Sequence, residues 1–178
     1  MVEPKCVHWI VVKLVLRYLQ GTINYGLKYV QQDEVKIKGF IHANWAGNIA
    51  DRKSTSGYNF NLGSGAVSWY RRKQKLVALN SAEAEYMAAS MDTCEAIWLQ
   101  KLLAWLFDQE LDPAIIYYDN QSCIKLSENP LFHDKSKHIE IKYHFIRDCV
   151  EKGIVKLQYI PTDKQIADIL TKALIKNK

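Results

Sequence analysis

Five consecutive apolar residues, Ala114-Ile115-Ile116-Tyr117-Tyr118, lie between Pro113 and Asp119 and constrain the fold more than any other stretch. A strand without polar alternation is covered on both faces, the habit of sheets flanked by helices. The remaining pattern supplies its partners. Lys36 to Asn44 alternates as a strand, with Ile37, Gly39 and Ile41 on one face and Lys38, Phe40 and His42 on the other. Tyr58 to Leu62 and Ala66 to Arg72 read as two more strands, joined by a hairpin loop at Gly63-Ser64-Gly65. Ser81 to Leu106 reads as a long helix, with Ser81 as its N-cap and Glu83 and Glu85 in the first turns, where the helix dipole favours anions. A helix from Ser136 to Glu151, a strand from Ile154 to Ile160 and a last helix from Asp163 to Leu174 complete the order. Such an order argues for an α/β fold, a mixed sheet with helices packed on it.

Two segments are expected. Residues 1–34 form an N-terminal helix and turn, in which Trp9, Val12, Leu16 and Leu19 fall at helical spacing while Lys13, Arg17 and Gln20 lie off that stripe. Residues 35–178 form the main domain. At 178 residues, 48% hydrophobic and 24% charged, the chain can bury a proper core. Its net charge of +5 permits a polyanionic partner without demanding one. Cys6, Cys94, Cys123 and Cys149 show no paired spacing and read as reduced, mostly buried thiols. No stretch reaches the roughly 20 apolar residues that cross a bilayer. Val7 to Leu19 makes a poor signal peptide, because Glu3 spoils the basic start and His8 and Lys13 interrupt the apolar run. An intracellular location, cytoplasm or nucleus, follows as the expectation. The histidines His133, His138 and His144 lack the spacing of a zinc helix and have no cysteine at ligand spacing.

Three acids stand in unusual places. Asp119 ends the apolar strand, Asp168 lies between apolar neighbours in Ile166-Ala167-Asp168-Ile169-Leu170, and Glu85 sits near the start of a buried helix. Buried carboxylates are costly unless paired or held by a hard cation such as Mg²⁺. Each also has an ordinary reading, as a helix-start glutamate, a turn aspartate or an exposed helix face, and spacing alone does not bring them together.

Six ordered motifs decide what spacing leaves open. Gly39-Phe40-Ile41-His42-Ala43-Asn44-Trp45-Ala46-Gly47 resembles the G-Y-S-D-A-D-W-A-G segment of copia-type retrotransposon ribonuclease H. The likeness continues through Asp51 to Tyr58, Ser81-Ala82-Glu83-Ala84-Glu85-Tyr86-Met87-Ala88 and Tyr118-Asp119-Asn120-Gln121-Ser122. Lys137 to Glu140 with Tyr143 to Arg147, and Ala167 to Lys172, close the series. Leu16 to Thr22 resembles the reverse-transcriptase tail that precedes this domain in Pol polyproteins. The resemblance implies a ribonuclease H-like mixed five-stranded sheet flanked by helices. It also implies cleavage of the RNA strand of an RNA–DNA hybrid with two Mg²⁺ ions held by four carboxylates. By motif the four positions are His42, Glu85, Asp119 and Asp168, with Glu85 chosen over Glu83 because a bulky residue and then a small-residue run follow it.

The first position departs from the family: His42 replaces the metal-bridging aspartate, and Asn44 replaces a second aspartate two residues on. A neutral imidazole is a poor Mg²⁺ ligand beside oxygen donors, although Mn²⁺ tolerates it better. Losing that carboxylate is expected to cost on the order of 10³-fold in rate. The expectation is therefore an impaired enzyme or none, with His42 a surface residue at a dead site. Binding can outlast chemistry, because phosphates are gripped by cations and amides. Arg52, Lys53, Ser54, Thr55 and Ser56, and the basic run Arg71, Arg72, Lys73 and Lys75 after a strand, are the candidate contacts to RNA–DNA hybrid or double-stranded RNA.

A different class is a non-catalytic, domesticated module with a protein partner. Arg17-Tyr18-Leu19-Gln20, followed by Asp33-Glu34, resembles in degenerate form the RxLR and acidic translocation motifs of oomycete effectors. That likeness implies secretion, delivery into host cells and action on immunity through protein contacts.

Overall fold

The computed structural model describes residues 3–31, 36–48, 50–128 and 137–172. The main domain is built on a five-stranded sheet in the order β3-β2-β1-β4-β5. These strands are β1 Ile37–Asn44, β2 Thr55–Leu62, β3 Gly65–Lys73, β4 Ala114–Tyr118 and β5 Val155–Tyr159. β1 pairs antiparallel with β2 and parallel with β4, so the pairing changes from antiparallel to parallel at the central strand. β4 has Ala114, Ile116 and Tyr118 fully buried, as an apolar run between two covering layers must be. The helices are α1 Cys6–Gly21, α2 Ser81–Phe107, α3 Gln121–Glu128, α4 Lys137–Glu151 and a single turn α5 Asp168–Thr171.

Small residues bring α2 onto the sheet. Ala84, Ala88, Ala89 and Ala96 are all fully buried on this helix, and Ile41, Phe60 and Ile116 are fully buried in the strands. The ring of Phe60 occupies the space that a side chain at 39 would need, since a Cβ there would lie 2.4 Å from it. Tyr86 stacks on Tyr143 at 3.7 Å between ring centroids, joining α2 to α4.

Several expectations change. The cap of α2 is Asn80, one residue earlier than Ser81: its side chain accepts from the Glu83 amide at 2.8 Å. Glu83 in turn accepts from the Leu79 amide at 2.9 Å, so its carboxylate serves the helix start. The hairpin loop is shorter than Gly63-Ser64-Gly65, because Gly65 already pairs with Leu62, and Gly63 turns the chain at φ 58°. The expected last helix is broken into a 3₁₀ turn, Thr162–Lys164, and α5, because Gln165 between them is extended and spends its side chain on the sheet. The continuation of that helix to Leu174 lies outside the described residues, as do Asp33, Glu34 and His133. Of the described cysteines only Cys149 is buried; Cys6 and Cys94 are exposed, so a mostly buried set is not what the fold makes. The run Arg71-Arg72-Lys73 lies inside β3 rather than after it. α1 forms as its periodicity indicates, yet buries none of its residues, Trp9, Leu16 and Leu19 included. No helix among the described residues is long and apolar enough to cross a membrane.

Candidate active site

β1 and β4 are parallel, so their C-terminal ends lie side by side, and at this point, where the order of strands across the sheet reverses, an open α/β sheet parts to form a crevice. Parallel pairing stops at Phe40 and Tyr117. Past that point Gln165, almost fully buried, donates its amide to the carbonyls of Ile41 at 2.9 Å and Tyr117 at 3.3 Å, stitching the parted strands. His42 sits immediately beyond on β1, and Asp119 immediately beyond on β4. Glu85 comes down from the second turn of α2, and its Oε1 accepts from the Ala43 amide at 2.9 Å. Asp168 opens α5, which rests against β2 at a point where a Cβ on Gly57 would come within 2.9 Å of Leu170.

These four side chains meet. His42 Nδ1 lies 3.3 Å from Glu85 Oε1 and 3.4 Å from Asp119 Oδ1, and Nε2 lies 3.2 Å from Asp168 Oδ1. The last contact is an ion-pair distance without hydrogen-bond alignment. Lys172 closes on Asp168 from the next turn. His42 is only 8% exposed and Glu85 4%, so His42 is not the surface residue expected of it. Nor is it neutral. Burial opposes charge on the ring, but hydrogen bonds and charge from Asp119 and Glu85 outweigh burial and hold His42 at about 9. Burial dominates at Glu85 and lifts it above the ordinary carboxylate value, against the pull of His42. At Asp119 burial pushes the same way, yet the imidazolium wins and holds it below that value. The cluster opens into a cleft of about 400 Å³ that also touches Trp45, Ser81, Asn120 and Lys172.

Ligand atoms of His42, Glu85 and Asp119 lie within 4.8 Å of one another, a spacing one metal ion could use. Two hard Mg²⁺ ions fit poorly. Such ions take oxygen ligands, and one corner of this site carries an imidazole whose pKa is pushed up to about 9. Glu85 Oε2 is buried and has no hydrogen-bond partner among the described residues, which leaves it open to a cation.

The expected nucleic-acid contacts divide. Arg71, Arg72, Lys73 and Thr55 line a polar cavity of about 560 Å³ beside the cluster, together with Asn44 and Lys172. Lys73 also pairs with Asp51 at 3.0 Å. Arg52 and Lys75 are exposed, and Lys53 is partly so. Ser54 is fully buried and its hydroxyl accepts from the Ala46 amide at 3.2 Å, leaving no surface for a phosphate. Ser56 is buried too, accepting from the Gln74 amide at 2.8 Å. Arg17, Tyr18, Leu19 and Gln20 are exposed on the last turns of α1. Sequence reasoning missed Gln165 and Lys172. Nothing in the sequence marks Gln165, whereas Lys172 follows Asp168 at the i, i+4 spacing of helix ion pairs.

No family model matches the chain. The Pol polyprotein of transposon TNT 1-94 from Nicotiana tabacum is 42% identical over 99% of this chain, which spans 13% of that polyprotein. That of transposon RE2 from Arabidopsis thaliana is 40% identical over 94% of this chain, which spans 12% of it. Secreted RxLR effector protein 161 of Plasmopara viticola is 50% identical over 54% of this chain and 68% of its own length. Among solved structures, an N-terminal RNase H domain from Mycobacterium tuberculosis superposes with a TM-score of 0.57 at 13% identity, over 78% of this chain and 91% of its own. LC11-RNase H1 in complex with an RNA/DNA hybrid gives 0.52 at 16% identity, over 76% and 93%. At these identities the likeness speaks for the fold.

Proposed function

Because the chain belongs to the ribonuclease H-like domain of copia-type retrotransposon Pol polyproteins, we propose that it is a nucleic-acid-binding member in which His42 has disabled the cleavage centre. The observation that carries this reading is the three-way contact of the His42 ring with Glu85, Asp119 and Asp168. An imidazolium there supplies positive charge where a catalytic pair of cations would supply it. It has no open coordination position, so it can neither activate a water nor hold a leaving oxygen. Residues 1–34 are the tail of the preceding segment and 35–178 the domain proper, a division that truncation to residues 35–178 with retained cooperative unfolding would support.

The binding partner in this reading is an RNA–DNA hybrid, the ligand named for a solved structure of the same fold, or double-stranded RNA. Arg71, Arg72, Lys73 and Lys172 beside the cluster provide the cations for its phosphates. Four such contacts give a log–log salt slope of roughly −3 to −4. The deciding experiment is cleavage of a labelled hybrid with Mg²⁺ or Mn²⁺ by the natural chain and by the double variant His42→Asp, Asn44→Asp. The natural chain should cut at background, and the variant on the order of 10³-fold faster. The variant's melting temperature should also rise with Mg²⁺ while that of the natural chain stays put, since only a site that binds a cation is stabilised by it. Equal cleavage by both chains would overturn the proposal.

The RxLR likeness remains a second reading on one observation, the 50% identity to the Plasmopara viticola effector. Fusion of residues 1–34 to a reporter tests it: retention of the reporter inside the expressing cell removes secretion by this segment.

A further inference from the structure

Away from the carboxylate cluster, a cavity of about 430 Å³ is bordered by residues of β3, α2 and α4. Its lining residues hold three buried oxygens without a hydrogen-bond partner among the described residues: Asp92 Oδ2, Gln74 Oε1 and the Tyr70 hydroxyl. Asp92 is 2% exposed and Gln74 8%. The orientation of Gln74 is fixed, because its Nε2 donates to Ser56 Oγ and to the Ala84 carbonyl, both at 2.8 Å. Its Oε1 is therefore an acceptor with nothing to accept. Buried polar atoms left in this state are costly, and three on residues lining one cavity call for a ligand that hydrogen-bonds to them. Burial, helped by the charges of Glu85 and Glu95, holds Asp92 well above the ordinary carboxylate value, and Lys142 of α4 lines the same cavity.

The rest of the lining narrows the chemistry. Met87, Met91 and Leu76 present soft, apolar surface suited to a flat ring. Arg72, Lys73 and Lys75, all exposed, add cations at the rim. A body that is planar, carries N–H donors on one edge and ends in an anion matches all three parts. We propose that this cavity is a nucleotide site, in which a base with an exocyclic amine lies against Met87 and Met91, donates to Asp92 and Gln74, and leaves its phosphate on Arg72, Lys73 and Lys75. Arg72 and Lys73 also border the polar cavity beside the carboxylate cluster, so the nucleotide can be free or an unpaired residue of a bound strand.

The site is tested on the full chain by titration calorimetry with AMP, GMP, CMP, UMP, adenosine and inorganic phosphate. The amine-bearing nucleotides should bind about tenfold or more tightly than UMP, whose base has no exocyclic amine, and adenosine should lose a similar factor for want of phosphate. Asp92→Leu should abolish the preference for amines and raise the melting temperature, because it removes an unpaired buried oxygen. Arg72→Ala should weaken every nucleotide while keeping their order, and it carries the test if the leucine variant does not fold. A fluorescent 2-aminopurine, presented as the monophosphate and as an overhang on a short RNA, separates the two sources. Tighter binding of the overhang assigns the site to a strand, and tighter binding of the monophosphate to a free nucleotide. No saturation by any nucleotide up to about 10 mM, or UMP binding as tightly as AMP, would overturn the proposal. Hybrid binding and cleavage are separate readouts, so failure there leaves this test intact.

Discussion

Replacing His42 by glutamine should flatten the pH dependence of folding stability on the alkaline side of neutrality. In the folded chain the ring holds its proton up to about 9, against an ordinary value of 6.5 once unfolded. A raised histidine contributes stability that is complete below 6.5 and is lost as pH climbs through 9. Between those limits the folded state carries a proton that the unfolded state has released. Stability therefore falls by about 1.4 kcal/mol per pH unit, or about 3 kcal/mol across the window. At the urea sensitivity usual for this chain length, the unfolding midpoint should drop by about 1 M between pH 6.5 and 9. The assay is urea denaturation followed by tryptophan fluorescence at half-unit steps, run in parallel on the natural chain and His42→Gln. Glutamine keeps approximate size and polarity but cannot carry the charge, so the difference between the curves isolates the ring. Parallel curves of equal slope would refute the reasoning, because the pH dependence would then belong to other groups.

Other consequences are measurable. Gln165→Leu should lower stability by about 1–3 kcal/mol, since the Ile41 and Tyr117 carbonyls lose their donor; an unchanged denaturation midpoint would show that water replaces the amide. Asn80→Ala should cost about 1 kcal/mol by removing the cap on the Glu83 amide, read as a drop in melting temperature. Gly57→Val should displace α5, because Leu170 and Thr171 occupy the space a side chain needs; weaker hybrid binding together with lower stability is the expected pair of effects. Arg71→Ala with Arg72→Ala should shallow the salt dependence of hybrid binding by about two in log–log slope if both touch phosphate.

The sheet was legible because its signals are local: the period-two run before Asn44 and the unbroken apolar run before Asp119 each announce how many of their faces are covered. The convergence of Glu85, Asp119 and Asp168 was not legible from spacing, since it arises from the parallel pairing of β1 with β4, strands far apart in sequence. Motif order supplied what periodicity could not. The end of the chain misled because Asp163 to Leu174 carries a helical pattern, while Gln165 satisfies two sheet carbonyls and breaks the helix to reach them. His42 misled for a related reason. Its strand position suggested a face, but three acids from distant segments decide its burial and its charge.

The protonation of His42 itself can be read by nitrogen-15 NMR of histidine-labelled protein at pH 7.5, with and without Mg²⁺. Two protonated ring nitrogens, unmoved by the cation, are the expected result. A neutral ring, or ring signals that shift as Mg²⁺ is added, would contradict the claim that the imidazolium has taken the place of the metal pair.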